Sequence, residues 1–139
     1  MSFSATTEQI RRRTKFETRR LGWAELKPGE LFCAIEKGQG LKKGEKVTRI
    51  VVLECLDNHP EPVNAIKKRG CRREGFPDHS PREFVRMFCR LNHCEPETEV
   101  NVITFRYVRC ACCDRGDEYN GYGSGPTSFT CPKHCGCHD

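Results

Sequence analysis

The sequence predicts an α+β fold: a small barrel-like domain of about five strands with two helices, followed by a short cysteine- and histidine-rich tail. Three observations carry this. Apolar and β-branched residues concentrate or alternate over Val47–Cys55 and Glu99–Val108; one strongly capped helix begins at Ser80; and the composition changes abruptly after Arg109. The chain of 139 residues has room for one domain with a core and an appendage. The boundary falls at 109/110, so residues 1–109 form the domain and 110–139 the tail.

In chain order, residues 6–20 read as a short helix or turn rich in Arg and Thr, anchored by Ile10 and Phe16. Lys27-Pro28-Gly29-Glu30 is a turn, and Leu31 to Ile35 a short apolar strand. Gly38, Gly40 and Gly44, interleaved with Lys37, Lys42, Lys43 and Lys46, form a flexible basic loop. Val47 to Cys55 is a strand with both faces partly covered, and Asp57 to Pro62 is a cluster of breakers. Ser80-Pro81-Arg82-Glu83 is a capping box with proline at the first helical position. It explains Glu83 as a structural acid. Behind it, Phe84, Met87, Phe88 and Leu91 recur at helical spacing, and the helix ends near Asn92. The last strand carries Ile103, Phe105 and Tyr107 on one face and Val100, Val102 and Val108 on the other. Cys33 and Cys55 read as core, and Trp23 and Phe32 as core or cleft wall. Cys89, His93 and Cys94 read as a helix end rather than a metal site.

Charge narrows the function classes. The formal charge is +5, but the tail nets two negative charges, leaving +7 on residues 1–109. The densest patch is Arg11, Arg12, Arg13, Lys15, Arg19 and Arg20, opposed only by Glu17. Such a patch suits a polyanion or phosphate-bearing ligand, or it is a solvated basic face. No apolar run approaches the roughly 20 residues that cross a bilayer. The polar N-terminus has no apolar signal region, so the expectation is a cytoplasmic monomer with no membrane partner.

Lys15 and Thr18 are three residues apart, which on a helical turn places both on one face. A lysine beside a hydroxyl and among other cations is a candidate base, because burial and neighbouring positive charge lower its pKa. The string Ile10 to Arg20 resembles the ASCH-domain signature, an Ile followed by a Gly-x-Lys-Thr-x-Thr-x-Arg-like run. The Lys27 to Glu30 turn, the Glu74-Gly75-Phe76 segment, the Glu83-Phe84 helix start and the Val100 to Tyr107 strand follow in that family's order. The resemblance spans roughly residues 8–109 and is nearest to bacterial and phage members. Arg13 stands where the family has glycine, a residue that permits a left-handed turn, and Phe16 where it has threonine.

The resemblance implies a PUA-like β-barrel with flanking helices around a cleft. It implies binding of RNA or a modified nucleoside there, with Arg13, Arg19 and Arg20 as ligand contacts and Arg20 matching the motif's last arginine. Some small bacterial members hydrolyse the amide of N4-acetylcytidine to cytidine and acetate. Their catalytic Lys, Thr and Glu fall on Lys15, Thr18 and Glu74. Such chemistry needs a nucleophile or held water, a base and a proton donor to the leaving nitrogen.

The tail has its own signal. Of eleven cysteines, six crowd into it with His134 and His138. Cys110 and Cys113 form a Cys-x-x-Cys pair. Cys131 and His134 complete a tetrahedral zinc set, with Cys135 or Cys137 as alternatives to His134. The expectation is a zinc-ribbon-like tail, holding one ion with spare cysteines or two ions. A third functional class is then a zinc-stabilised interaction protein with a vestigial cleft.

Overall fold

The computed structural model describes residues 1–36 and 48–110, with the side chains of residues 109 and 110 excepted. The basic loop around Gly38 to Lys46 and the tail ligands Cys113, Cys131, His134, Cys135 and Cys137 lie outside the described residues. Cys110 is described only in its backbone.

The fold is α+β. Four antiparallel strands, β1 (Glu17–Arg20), β2 (Leu31–Ile35), β3 (Arg49–Pro62) and β4 (Glu99–Cys110), form an open sheet in the order β1-β4-β3-β2. Helices α1 (Thr7–Arg11), α2 (Lys68–Arg73) and α3 (Pro81–Asn92) and a 3-10 turn at Val63–Ala65 complete it. The sequence suggests about five strands; four are present among the described residues. The outer edge of β2 is met by the first residues of the chain through a parallel bridge between Ser2 and Ile35.

Several expectations need correction. The stretch 6–20 is not one helical segment. α1 ends at Arg11, Arg13 adopts a left-handed φ of 59°, and the chain then enters β1. Two backbone bonds hold it there: Phe16 N–H to Arg73 O at the end of α2, at 2.7 Å, and Phe105 N–H of β4 to Phe16 O, at 3.1 Å. Phe16 is therefore no anchor: it is exposed and meets Tyr107 edge-on at 5.9 Å. The breaker cluster Asp57 to Pro62 is the second half of β3. That half pairs only with β4, because pairing with β2 ends at Glu54. With one neighbour, alternate N–H groups are not needed, and Pro60 and Pro62 are two residues apart. A register shift between Cys55 and Asp57 marks the bulge between the two halves.

α3 forms for the reasons its sequence gives. Glu83 N–H donates to Ser80 Oγ at 3.1 Å, and Ser80 N–H donates to Glu83 Oε1 at 2.8 Å. The helix closes at His93, in the left-handed region at φ 52°. Its apolar stripe is split in use. Phe84, Val85 and Phe88 pack with Val63, Ile66, Cys71 and Val100 in one core cluster, whereas Leu91 is exposed. A second cluster joins Phe3, Ile10, Phe32, Leu53, Cys55, Ile103 and Phe105. Cys33 is only half-buried, because Leu31, Cys33 and Ile35 face away from that cluster while Phe32 and Ala34 enter it. No described helix is long and apolar enough to cross a membrane.

Candidate functional site

A cleft of about 690 Å³ is lined on its polar side by Lys15, Thr18, Arg19, Arg20 and Glu74. Trp23, Phe76, Met87, Phe88 and Leu91 supply apolar lining. Its volume lies in the range of small-ligand sites, and its mixture of apolar wall and a few convergent polar groups is what such sites share.

Each polar group has a local reason for its position. Side chains alternate along a strand, so β1 sends Thr18 and Arg20 to one face and Glu17 and Arg19 to the other. Lys15 sits just before β1, and its carbonyl accepts a hydrogen bond from the Tyr107 hydroxyl at 2.5 Å. Glu74 is the C-cap of α2, followed by Gly75 at φ 95°. A Cβ on Gly75 would lie 2.8 Å from Gln9 Cγ, so the bare backbone is what lets α1 pack against this turn. Gln9 Nε2 donates to Gly75 O at 3.2 Å and secures the contact.

Lys15 and Glu74 form the centre. Lys15 is 2% exposed and Glu74 3%. Lys15 Nζ donates to Glu74 Oε1 at 2.6 Å and to Glu74 O at 2.8 Å. The second carboxylate oxygen accepts from Arg19 Nη1 at 3.2 Å. Arg19 Nη1 also donates to Glu17 Oε1 at 2.7 Å, and Arg73 Nε donates to Glu17 Oε2 at 3.3 Å. Arg19 Nη2 lies 3.5 Å from Glu61 Oε2. Thr18 is 3% exposed, and its hydroxyl oxygen accepts from Arg20 Nε at 3.1 Å. The Arg20 guanidinium stacks over the Phe3 ring, 4.6 Å from its centre.

Burial lowers the pKa of Lys15; Glu74 works against that shift, and the charges of Arg20 and Arg19 add to it. Burial also opposes the charge of Arg19, but Glu74 and Glu17 outweigh it and raise its pKa. Tyr107 is pushed upward, chiefly by burial. The consequence for Lys15 is specific. The lowered pKa eases the loss of a proton, after which the amine has two N–H groups and one lone pair. Glu74 Oε1 and Glu74 O would then accept one N–H each, leaving the lone pair to receive a proton.

The structure therefore brings Lys15, Thr18, Glu74, Arg19 and Arg20 together around one cleft. Arg13 is not there: it lies over the Tyr107 ring at 5.6 Å and is absent from the cleft lining. Arg19 is committed to three carboxylates and serves as internal counter-charge more than as a ligand contact. Its Nε is buried with no hydrogen-bond partner. The helical-spacing argument for Lys15 and Thr18 does not hold, because Thr18 is on a strand. Sequence reasoning misses the Glu17–Arg19–Arg73 network and the Tyr107 bond to Lys15 O, for no local pattern signals either. Trp23, at a left-handed φ of 69° and substantially exposed, is cleft wall and not core. Among the described residues no group of three or more His, Cys, Asp or Glu side chains is placed to hold a metal.

No family model matches the chain, and no curated protein matches it. Among solved structures, the crystal structure of protein EF3133 from Enterococcus faecalis V583, described with family-model DUF984, is similar at a TM-score of 0.48 with 15% identity, covering 76% of this chain and 69% of that one.

Proposed function

We propose that the cleft binds a modified nucleoside and that the domain is an ASCH-type module of PUA-like, barrel-related fold. The observation that carries the reading is the convergence of Lys15 and Thr18 with Glu74, which lies 59 residues beyond Lys15, on one cleft of about 690 Å³. A second observation supports it. Arg13, where the ASCH-like signature has glycine, is in the left-handed region at φ 59° that glycine favours. The polar lining suits a base edge and a ribose, and the apolar wall of Trp23, Met87 and Leu91 suits a flat ring.

A second reading, hydrolysis of an N4-acyl amide such as that of N4-acetylcytidine, is favoured by the contact of Lys15 with both Glu74 Oε1 and Glu74 O, which would leave a lone pair free on Lys15 once it loses its proton. In this reading Lys15 takes the proton from the Thr18 hydroxyl or from a water beside it. The freed oxygen attacks the acyl carbon, and the C–N bond breaks. Glu74, protonated through Lys15, returns the proton to N4. Arg20, hydrogen-bonded to Thr18, stabilises negative charge on the attacking oxygen. Where the attacking oxygen is that of Thr18, a water then hydrolyses the acetyl ester, restoring the hydroxyl and releasing acetate; where it is that of water, acetate leaves directly, and cytidine is the other product in both cases. The zinc-ribbon reading of the tail rests on its sequence alone.

The test is direct. Trp23 is the single tryptophan of the chain, so nucleoside entering the cleft changes its fluorescence. Addition of N4-acetylcytidine should change that signal, and acetate release, absent in Lys15→Ala, separates hydrolysis from binding. No fluorescence response and no acetate would sink both readings in favour of a vestigial cleft.

A further inference from the structure

A second concavity of about 360 Å³ lies beside β1 and is lined by Glu17, Arg19, Glu61, Lys67, Arg69 and Arg73 among others. It uses the Glu17 and Arg19 face of β1, whereas Thr18 and Arg20 line the first cleft; Arg19 alone lines both. Its charges are unequally used. Glu17 is bound to Arg19 and Arg73, and Glu61 to Arg19 and His59. Lys67 and Arg69 are exposed, and neither side chain has a hydrogen bond or ion pair among the described residues. Two unspent cations thus face a hollow whose carboxylates are already paired. α2 can press this close because residue 70 is glycine: a Cβ there would lie 2.7 Å from Ile66 Cγ1 and 3.2 Å from Arg19 Nη2. A solvated basic helix spreads its cations outward; here they rim a concavity sized for a compact anion.

We propose that this second concavity, through Lys67 and Arg69 with Arg73 beside them, holds a backbone phosphate of a single-stranded RNA. It rests on the nucleoside reading of the first cleft, and it makes the ligand a strand whose base enters that cleft while its backbone passes around edge strand β1. Phosphate contacts position a strand without reading its sequence. Each phosphate neutralised on a single strand contributes about 0.7 to the logarithmic salt dependence of binding.

The experiment uses the full chain, a fluorescently labelled single-stranded RNA of about 12 nucleotides, and a salt titration of its affinity. Lys67→Ala/Arg69→Ala should weaken binding and lower the salt slope by about 0.7, the share of the one phosphate that the concavity holds. The same variant should keep the Trp23 fluorescence response to N4-acetylcytidine, which also reports that it is folded. Lys67→Gln/Arg69→Gln, which retains polarity, should show the same loss of slope. An unchanged slope, no RNA binding by the wild type, or binding to anionic vesicles but not RNA overturns the proposal. So does cytidine 5′-monophosphate binding as tightly as the RNA with the same loss in the variant. Loss of the nucleoside response in the wild type overturns the first-cleft reading instead, so the two failures are distinguishable.

Discussion

Glu74→Gln removes one negative charge and almost no volume from one of the most enclosed polar groups among the described residues. The wild-type carboxylate compensates Lys15 at 2.6 Å and Arg19 at 3.2 Å. Arg19 keeps Glu17 at 2.7 Å, but Lys15 keeps no counter-charge. Removing one partner of a buried pair typically costs about 3–5 kcal/mol. An independent limit comes from Lys15 itself, which can escape the penalty by losing its proton. Carrying a lysine of ordinary pKa near 10.4 to its neutral form at pH 7 costs about 4.6 kcal/mol, at roughly 1.36 kcal/mol per unit. Because the glutamine still accepts a hydrogen bond, the expected loss is about 3 kcal/mol. With urea m-values of about 1–3 kcal/mol/M, that lowers the midpoint by about 1–3 M.

The pH dependence identifies the cause. The folded pKa of Lys15 is already lowered, and losing Glu74 lowers it further, because Glu74 is the group that opposes the shift. Between the variant's folded pKa and that of the wild type, the variant's folded state binds one proton fewer than its unfolded state. Its stability therefore rises with pH by about 1.4 kcal/mol per unit relative to the wild type. Urea melts followed by circular dichroism across a pH series upward from about 7 should show the deficit shrinking between those two pKa values. A deficit under about 1 kcal/mol at pH 7, or one that does not shrink, would mean that Lys15 is not held as a buried, compensated cation. Lys15→Met/Glu74→Gln should be more stable than Glu74→Gln alone, since no isolated charge remains.

Arg13→Gly should be more stable than Arg13→Ala by about 1 kcal/mol, since both lose the Tyr107 contact and only alanine keeps the left-handed penalty at φ 59°; equal urea midpoints would contradict that. Ser80→Ala should cost about 1 kcal/mol by removing the cap of α3, while leaving the nucleoside response of Trp23 intact. If Lys15 acts as a base, acetate release rises with pH through its lowered pKa and levels off above it, because the neutral amine is the active form; a rate that falls over that range argues against the role. Elemental analysis of the full chain should find zinc bound by Cys110, Cys113, Cys131 and His134, reduced in Cys131→Ser, and a metal-free chain that folds normally would remove the zinc-ribbon reading.

What was legible in the sequence was local. α3 is set by Ser80, Pro81 and Glu83, which act on one another within a single turn. β4 is set by alternation, visible because Ile103 and Phe105 enter one core while Val100 enters the other. The buried side of β1 is different in kind. Glu17, Thr18, Arg19 and Arg20 are four polar residues in a row and look like surface. They are enclosed only because α2, some fifty residues on, lays Arg73 and Glu74 against them. Burial of charge is thus a property of the pairing, not of either segment. The same holds for the candidate site. Helical spacing of Lys15 and Thr18 is the wrong reason for their meeting, since β1 begins between them. They share a cleft because Tyr107 fixes the Lys15 backbone and Glu74 accepts its amine, two contacts across 92 and 59 residues. A lysine and a glutamate that enclose one another this far apart must be placed by the whole fold. Function at this cleft and stability of the domain are therefore coupled through the same carboxylate, and a variant that weakens one should be measured for the other.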